Sequence, residues 1–468
     1  MSKTVVKFGG SNLKCKEDIG RVIQVVKNYK QPVVIVVSAF FGVTNYLIES
    51  LETARHDEQL AKKVTNYLFS LKEETLELHI QDIDLRNSIL HEISILLEEL
   101  EKYLHGIALT GDASLALEDH VLAYGERISA VFLNGILNNA GIDSQVIFPE
   151  AIGLITDGEF GNASVDFVKS TNKVRESLAG DFVYVIPGFY GLSTDGKTTL
   201  LGRGGSDYSA AAIARCIGAS SLDIWKDVNG FLSADPRIVD NPVQIKKLTY
   251  DEAAELAYFG AKILHPRTVE PLCDPHIPIR IFNIYGALNV QEPLSVVSAE
   301  KTITKGIVKS VTYSDDFGIL KLKGSGVGGK PGILAKVTNA LLIANINISS
   351  VLTSQTSINI LISKKDLSTA YAVVSAIDPP VVGRLQIVED ITVIAAVGNG
   401  IAENFGVAAR IFTALAKNEI NVLMSCSGAS LIVSYILVGI NDRTQAVKAI
   451  HSEFFETNVQ VKQLDDSN

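Results

Sequence analysis

KTVVKFGGSNLKCKEDIGRVIQVVKNYKQPVVIVV, residues 3–37, is the stretch whose reading decides the fold. Two β-branched runs, Lys3 to Phe8 and Val33 to Val37, flank Ile19 to Tyr29, where Ile19, Val22, Ile23 and Val26 recur at helical spacing. That order is a β-α-β unit, which requires parallel strands. Lys7 stands at the end of the first run, with one residue, Phe8, before Gly9, Gly10 and Ser11 begin. Ligands bind at this carboxyl edge of a parallel sheet, where glycines let backbone N–H groups approach an anion and a lysine offers a point charge to phosphate.

Working outward, Leu47 to Leu104 reads as helix, most clearly at Ile89, Ile93, Leu96, Leu100 and Leu104, and is expected to be a helical insertion spanning about 45–105. Strands are expected again at Gln145 to Ile147, Phe182 to Pro187, Asp223 to Trp225 and Ile277 to Phe282, with helices over Tyr208 to Ile217 and Tyr250 to Ile263. One α/β domain over 1–295, with a mostly parallel sheet, accommodates them. Beyond about residue 300 an internal repeat appears at an offset of 74: Gly332, Ala335, Ala340, Leu341, Ile346 and Asn347 recur as Gly406, Ala409, Ala414, Leu415, Ile420 and Asn421. Two ferredoxin-like βαββαβ units fit the spacing, over 305–390 and 391–468, and the last strand of the second is a candidate to return to the first.

The 468 residues are 47% hydrophobic and 20% charged, with 36 Gly and 13 Pro, which excludes a disordered or fibrous chain. A net charge of -10 argues against nucleic acid as a partner. The apolar stretch Pro32 to Val43 is too short for a bilayer span, so no membrane partner is expected. Cys15, Cys216, Cys273 and Cys426 form no C-x-x-C pair and no signal peptide precedes them, so reduced thiols and a cytoplasmic location are expected.

Three clusters hold candidate chemistry. Besides the Lys7 loop, Gly202-Arg203-Gly204-Gly205-Ser206-Asp207 leads into an apolar-faced helix, whose free N–H groups would face whatever the loop holds, and Arg203 can grip a carboxylate bidentately. Asp223 to Gly230, Asp235-Pro236-Arg237 and Phe259-Gly260-Ala261-Lys262 add a strand edge rich in both signs. By contrast, Gly324 to Lys330 matches two nucleotide patterns but fails both. Pro331 has neither hydroxyl nor N–H, and no acidic residue follows before Asp366. Cys273 and His276 form half a metal motif without a partner, and no protein-held metal is expected.

KFGGS, GERISA at Gly125 to Ala130, GRGGSDYSA, DIWKDVNG, SADPR and FGAKILHPRT occur in this order, and together they resemble the aspartokinases of the amino-acid-kinase fold, with two C-terminal ACT regulatory domains. The resemblance implies a kinase that uses ATP with Mg²⁺ to phosphorylate the β-carboxylate of L-aspartate. Lys7 and Asp207 would be catalytic. Ser38, Thr44, Glu126, Phe189, Arg203 and Ser206 would bind aspartate, and Lys7, Gly9, Gly10, Asp227, Arg237 and Lys262 the nucleotide. Lys226 and Leu232 stand where some relatives carry Thr and Tyr. The resemblance further implies feedback inhibition by an end-product amino acid, threonine or lysine, and a homodimer or homotetramer formed through the ACT domains. The uncharged Asn347, Ser349, Ser354, Gln355 and Thr356 suit threonine, whereas lysine would need a carboxylate such as Glu403 or Glu419. A glutamate 5-kinase would share the Lys-Gly-Gly region without the full set of motifs, and a non-catalytic sensor would keep the repeats without Lys7, Arg203 or Asp207.

Overall fold

The computed structural model describes residues 3–57, 59–261, 263–302, 307–324, 327, 331–377 and 383–456. They fall into two units. The first comprises 1–231, 244–257 and 262–302, and the second 232–243, 258–261 and 303–468.

The first unit is built on an eight-stranded sheet. Its strands are β1 (Val5–Phe8), β2 (Val34–Val37), β3 (Ser144–Val146), β4 (Val183–Pro187), β7 (Leu222–Lys226), β8 (Lys247–Thr249), β9 (Ile279–Asn283) and β10 (Ser295–Ser298), while β5 (Tyr190–Leu192) and β6 (Thr198–Leu200) form a separate hairpin. The sheet order is β3-β4-β2-β1-β7-β9-β10-β8, parallel throughout except where β10 runs against β9. The central strands β1, β2 and β4 are buried along their whole length, so they read as unbroken apolar runs instead of alternating ones. Helix α1 (Lys16–Asn28) joins β1 to β2 and buries Ile19, Val22, Val25 and Val26.

The insertion consists of α2 (Val43–Ala54), α3 (Leu60–His79) and α4 (Ile83–Thr110). Asp82 caps α4 by accepting the N–H groups of Asp84 and Leu85, and Gly111 ends it at φ 70°. Leu47, Leu68, Leu76, Ile93, Leu100 and Leu104 pack into one apolar cluster with α6 (Tyr124–Asn139), which follows the short α5 (Leu115–Leu122). Three further helices follow: α7 (Pro149–Ile152), α8 (Phe167–Ser177) and α9 (Gly205–Ile217). Helices α10 (Tyr250–Tyr258) and α11 (Pro266–Cys273) follow.

The second unit holds two four-stranded antiparallel sheets. One contains β12 (Phe317–Lys323), β13 (Ser350–Thr353), β14 (Ser357–Ser363) and β15 (Arg384–Val388), in the order β13-β14-β12-β15, with helices α12 (Ile333–Ile343) and α13 (Leu367–Ser375). The other contains β16 (Ile391–Val397), β17 (Val422–Ser430) and β18 (Val433–Gly439), with α14 (Val407–Lys417) and α15 (Arg443–Phe455). Its fourth strand is β11 (Ser310–Ser314), which pairs with β16 although it precedes the whole first repeat. Residues 457–468, the candidate returning strand, lie outside the described residues, as does most of the glycine loop after Gly324.

Two segments inside the span expected for the catalytic domain also fold with this unit. Ser233 hydrogen-bonds with buried His451 at 2.9 Å, and its carbonyl accepts the Val311 N–H at 2.8 Å. Ser310 Oγ donates to the Leu232 carbonyl at 2.8 Å, and Thr312 Oγ1 to that of Phe259 at 3.2 Å. Ala234, Ile238 and Val239 join the apolar cluster of Ile394, Ile411 and Val447.

Candidate active site

The site grows from the carboxyl edge of the first unit's sheet. β1 delivers Lys7, whose side chain is nearly buried and forms an ion pair with Asp207. Asp207 sits in the first turn of α9, which starts from Gly204 at φ 74°. That glycine cannot be replaced without strain, and a Cβ there would also meet the ring of His265. From the end of β7, Lys226 reaches the other oxygen of Asp207 at 3.1 Å. One buried carboxylate thus lies between two ammonium groups. Burial pushes its pKa up, but the two lysines outweigh that and hold it well below the usual carboxylate range. Burial lowers the pKa of Lys7, Asp207 opposes, and the like charge of Lys226 adds to the lowering.

Glu126 projects from the first turn of α6 and is buried. One of its oxygens accepts from Ser206 Oγ at 3.4 Å, and the other has no hydrogen-bond partner among the described residues. Burial pushes its carboxyl up to about 8, against the pull of the Ala39 N–H and the Lys7 charge. Phe189, between β4 and β5, adopts φ 77°, a conformation rare for an aromatic residue, and is fixed by donating its N–H to Ser209 Oγ at 2.8 Å. Arg203 is exposed and makes no ion pair with another described residue. These groups line one cleft of about 620 Å³ that brings together Lys7, Gly10, Ser38, Thr44, Glu126, Phe189, Arg203, Ser206 and Asp207.

The remaining expected residues are less gathered. Asp227 stands at the same edge, 3.7 Å from Lys14. Gly9 donates its N–H to Asn12 at 2.9 Å. Arg237 belongs to the second unit, where it is exposed and held by Asp235 at 2.6 Å. Lys262 lies outside the described residues. The expected effector set is split by β13: Asn347 and Ser349 precede it, whereas Ser354 and Gln355 form the turn after it, about 13 Å along a four-residue strand.

The structure adds residues that sequence reading left out. Asp119 accepts the N–H groups of Gly161 and Leu200, both at 2.8 Å, and lines the cleft. Asn12 is fully buried, with its Nδ2 unpaired among the described residues. Arg267, inside the HPRT motif, donates to the carbonyls of Leu201 at 2.8 Å and Ala163 at 2.7 Å and stacks on Tyr208, which holds the loop that carries Arg203.

The amino acid kinase family profile matches residues 2–283, and ACT domain profiles match 312–376 and 394–454. Aspartokinase 1, chloroplastic, of Arabidopsis thaliana is 30% identical over 466 residues, which cover 97% of this chain and 80% of that protein. The chain belongs to the aspartokinase family. Lysine-sensitive aspartokinase 3 of Escherichia coli is 29% identical, with 97% of this chain and 100% of that one covered. Among solved structures, E. coli aspartokinase III in complex with aspartate and ADP matches with a TM-score of 0.81 at 27% identity, covering 97% of this chain and 100% of that one. The same enzyme in complex with lysine and aspartate matches with a TM-score of 0.77 at 28% identity, covering 97% and 99%. This aspartokinase is thus a kinase with an α/β catalytic domain and two ACT domains. No described helix is long and apolar enough to cross a membrane.

Proposed function

We propose that this chain transfers the γ-phosphoryl of ATP to the β-carboxylate of L-aspartate, giving 4-phospho-L-aspartate and ADP, a first step toward lysine, threonine and methionine. The observation that carries this reading is the cleft itself: a Glu126 carboxylate oxygen and an Arg203 guanidinium, both without a partner among the described residues, face the same space as the Lys7–Asp207 pair. Arg203 grips the α-carboxylate bidentately and Glu126 receives the α-ammonium, with Ser38, Thr44, Phe189 and Ser206 shaping the walls. The β-carboxylate has an ordinary pKa near 3.9, so it is already ionised and needs no general base. Its oxygen attacks the γ-phosphorus, the bond to the bridging oxygen of ADP breaks, and no proton has to move. What remains for the protein is alignment and cancellation of charge on a loose, metaphosphate-like transition state, which Lys7 and the N–H of Gly10 supply.

The nucleotide runs from this loop toward Asp227 at the same sheet edge. Mg²⁺ would be carried on the phosphates of ATP. When bound there it neutralises phosphate charge. The ACT pair makes the enzyme a target of feedback inhibition. The uncharged Asn347, Ser349, Ser354 and Gln355 favour threonine, and because β13 separates them, a second chain of a homodimer or homotetramer is proposed to complete the effector site.

The test is ADP release with each proteinogenic amino acid as acceptor, coupled to hydroxylamine trapping of the acyl phosphate. Aspartate alone is expected to give hydroxamate, and its absence ends the reading. Lys7→Ala is expected to depress kcat far more than KM, and Arg203→Ala to raise KM for aspartate. Parallel inhibition curves with lysine and threonine, with sedimentation in each, test the effector. Inhibition by lysine alone rules threonine out.

A further inference from the structure

We propose that Lys226 is a positioning residue for phosphoryl transfer: it is the second counter-ion of Asp207, and it keeps that carboxylate neutralised when Lys7 turns to the γ-phosphoryl group. This rests on the roles given above to Lys7 and Asp207.

The two ammonium groups take different oxygens of Asp207, Lys7 on Oδ1 and Lys226 on Oδ2 at 3.1 Å. They arrive from adjacent strands, because β1 and β7 pair in parallel with Phe8 beside Trp225. All three side chains are largely withdrawn from water, with exposures of 7% for Lys7, 8% for Asp207 and 18% for Lys226. The charge count explains the need for the third member. A Lys7–Asp207 pair alone is neutral, and a lysine that leaves it for phosphate uncovers a carboxylate beside the incoming anion. In a poorly screened site that repulsion opposes the very charge the lysine is meant to stabilise. With Lys226 in place the triad carries one net positive charge, and Lys7 can be shared with phosphate while Asp207 keeps a partner. Among the described residues the remaining titratable group acting on Lys7 is Glu126, whose burial favours its neutral form, so it does not cancel that charge.

Three full-length variants separate this from a structural role. Lys226→Met is expected to lower kcat on the order of 100-fold with KM for aspartate unchanged and the thermal melt retained. It is also expected to move the alkaline limb of the kcat profile to higher pH, because a like charge has been taken from beside Lys7. Lys226→Arg keeps the charge and is expected to recover most of kcat and leave the limb in place. Lys7→Ala is the control for the underlying reading. If Lys7→Ala is inactive while Lys226→Met keeps wild-type kcat and its alkaline limb, the inference about Lys226 falls and the catalytic reading stands. If Lys7→Ala turns over normally, the catalytic reading falls first. A Lys226→Met enzyme that only raises KM for ATP makes Lys226 a plain phosphate contact and overturns the positioning role. If Lys226→Met fails to melt cooperatively, Lys226→Arg decides: an Arg variant that is folded but as slow as Lys7→Ala contradicts a role carried by charge.

Discussion

Glu126 and Lys72 are buried ionisable groups with opposite consequences. The Glu126 carboxyl, pushed up to about 8, must ionise to pair with an ammonium. The KM for aspartate is therefore expected to fall as pH rises from 6 to 8, by up to about tenfold per unit, and Glu126→Gln is expected to flatten this profile and raise KM by about 10- to 100-fold. Steady-state kinetics across that range measure both. Between its ordinary 4.5 and about 8 the native state keeps a proton that the unfolded chain has released, so this group lowers stability as pH rises through that window. Lys72 of α3 works the other way. Its Nζ lies 2.7 Å from the centroid of the Phe40 ring with no hydrogen-bond partner among the described residues, and burial alone pulls its pKa well below the usual 10.5. The unfolded chain binds the proton that the native state has lost, so stability is expected to climb with pH up to the ordinary lysine range. Lys72→Met keeps the volume, and it is expected to remove that slope and to stabilise the protein at pH 7 by about 1–3 kcal/mol, read from urea unfolding at pH 7 and 9.

Loops and strands decide where these groups stand. A Cβ on Gly10 would come within 2.8 Å of the Ala39 carbonyl oxygen, so the loop after β1 and the loop after β2 touch backbone to backbone. Gly10→Ala is expected to part them and to cost kcat/KM on the order of 100-fold with far-UV circular dichroism unchanged; full activity would show that the two loops need not meet. The core strands were legible because β1, β2 and β4 are short β-branched runs, and β7 and β9 short stretches with buried apolar residues, set between helical patterns. The three-residue strands β5, β6 and β8 were not, since their extended form comes from pairing and not from local preference. The repeat was legible in residues and proves deeper in backbone: Gly332 and Gly406 both start helices at φ above 80°, and Asn345 and Glu419, which share no chemistry, both sit near φ 55°. In the cleft, Lys7, Gly10, Glu126 and Gly202 to Asp207 fall in three of the motifs, whereas Ser38, Thr44, Asp119 and Phe189 fall in none. Arg267 could not be given its task, because the carbonyls it holds lie 66 and 104 residues away in sequence, and Arg237 lies in a segment that folds with the other unit.

At the scale of the molecule, the chain passes between its two units after residues 231, 243, 257, 261 and 302. A chain ended after Thr302 keeps Leu232 to Val243 but loses what covers them: the His451 partner of Ser233, the Ser310 hydroxyl on Leu232 and the apolar cluster around Ala234, Ile238 and Val239. Such a truncation is expected to bind a hydrophobic dye and to unfold at lower urea than the full chain; an equally stable fragment would mean that these segments need no cover. The sequence shows a single boundary near residue 300, because periodicity fades over Gly286 to Lys305 and the elements beyond it read as short. The two short excursions leave no such mark, being only twelve and four residues long. Their presence bears on how such an enzyme can be rewired. A regulatory module grafted from a relative at one junction would arrive without the two host segments woven into it, so a working chimaera has to exchange three pieces of chain together, and recombination at a single point is expected to yield mismatched hybrids.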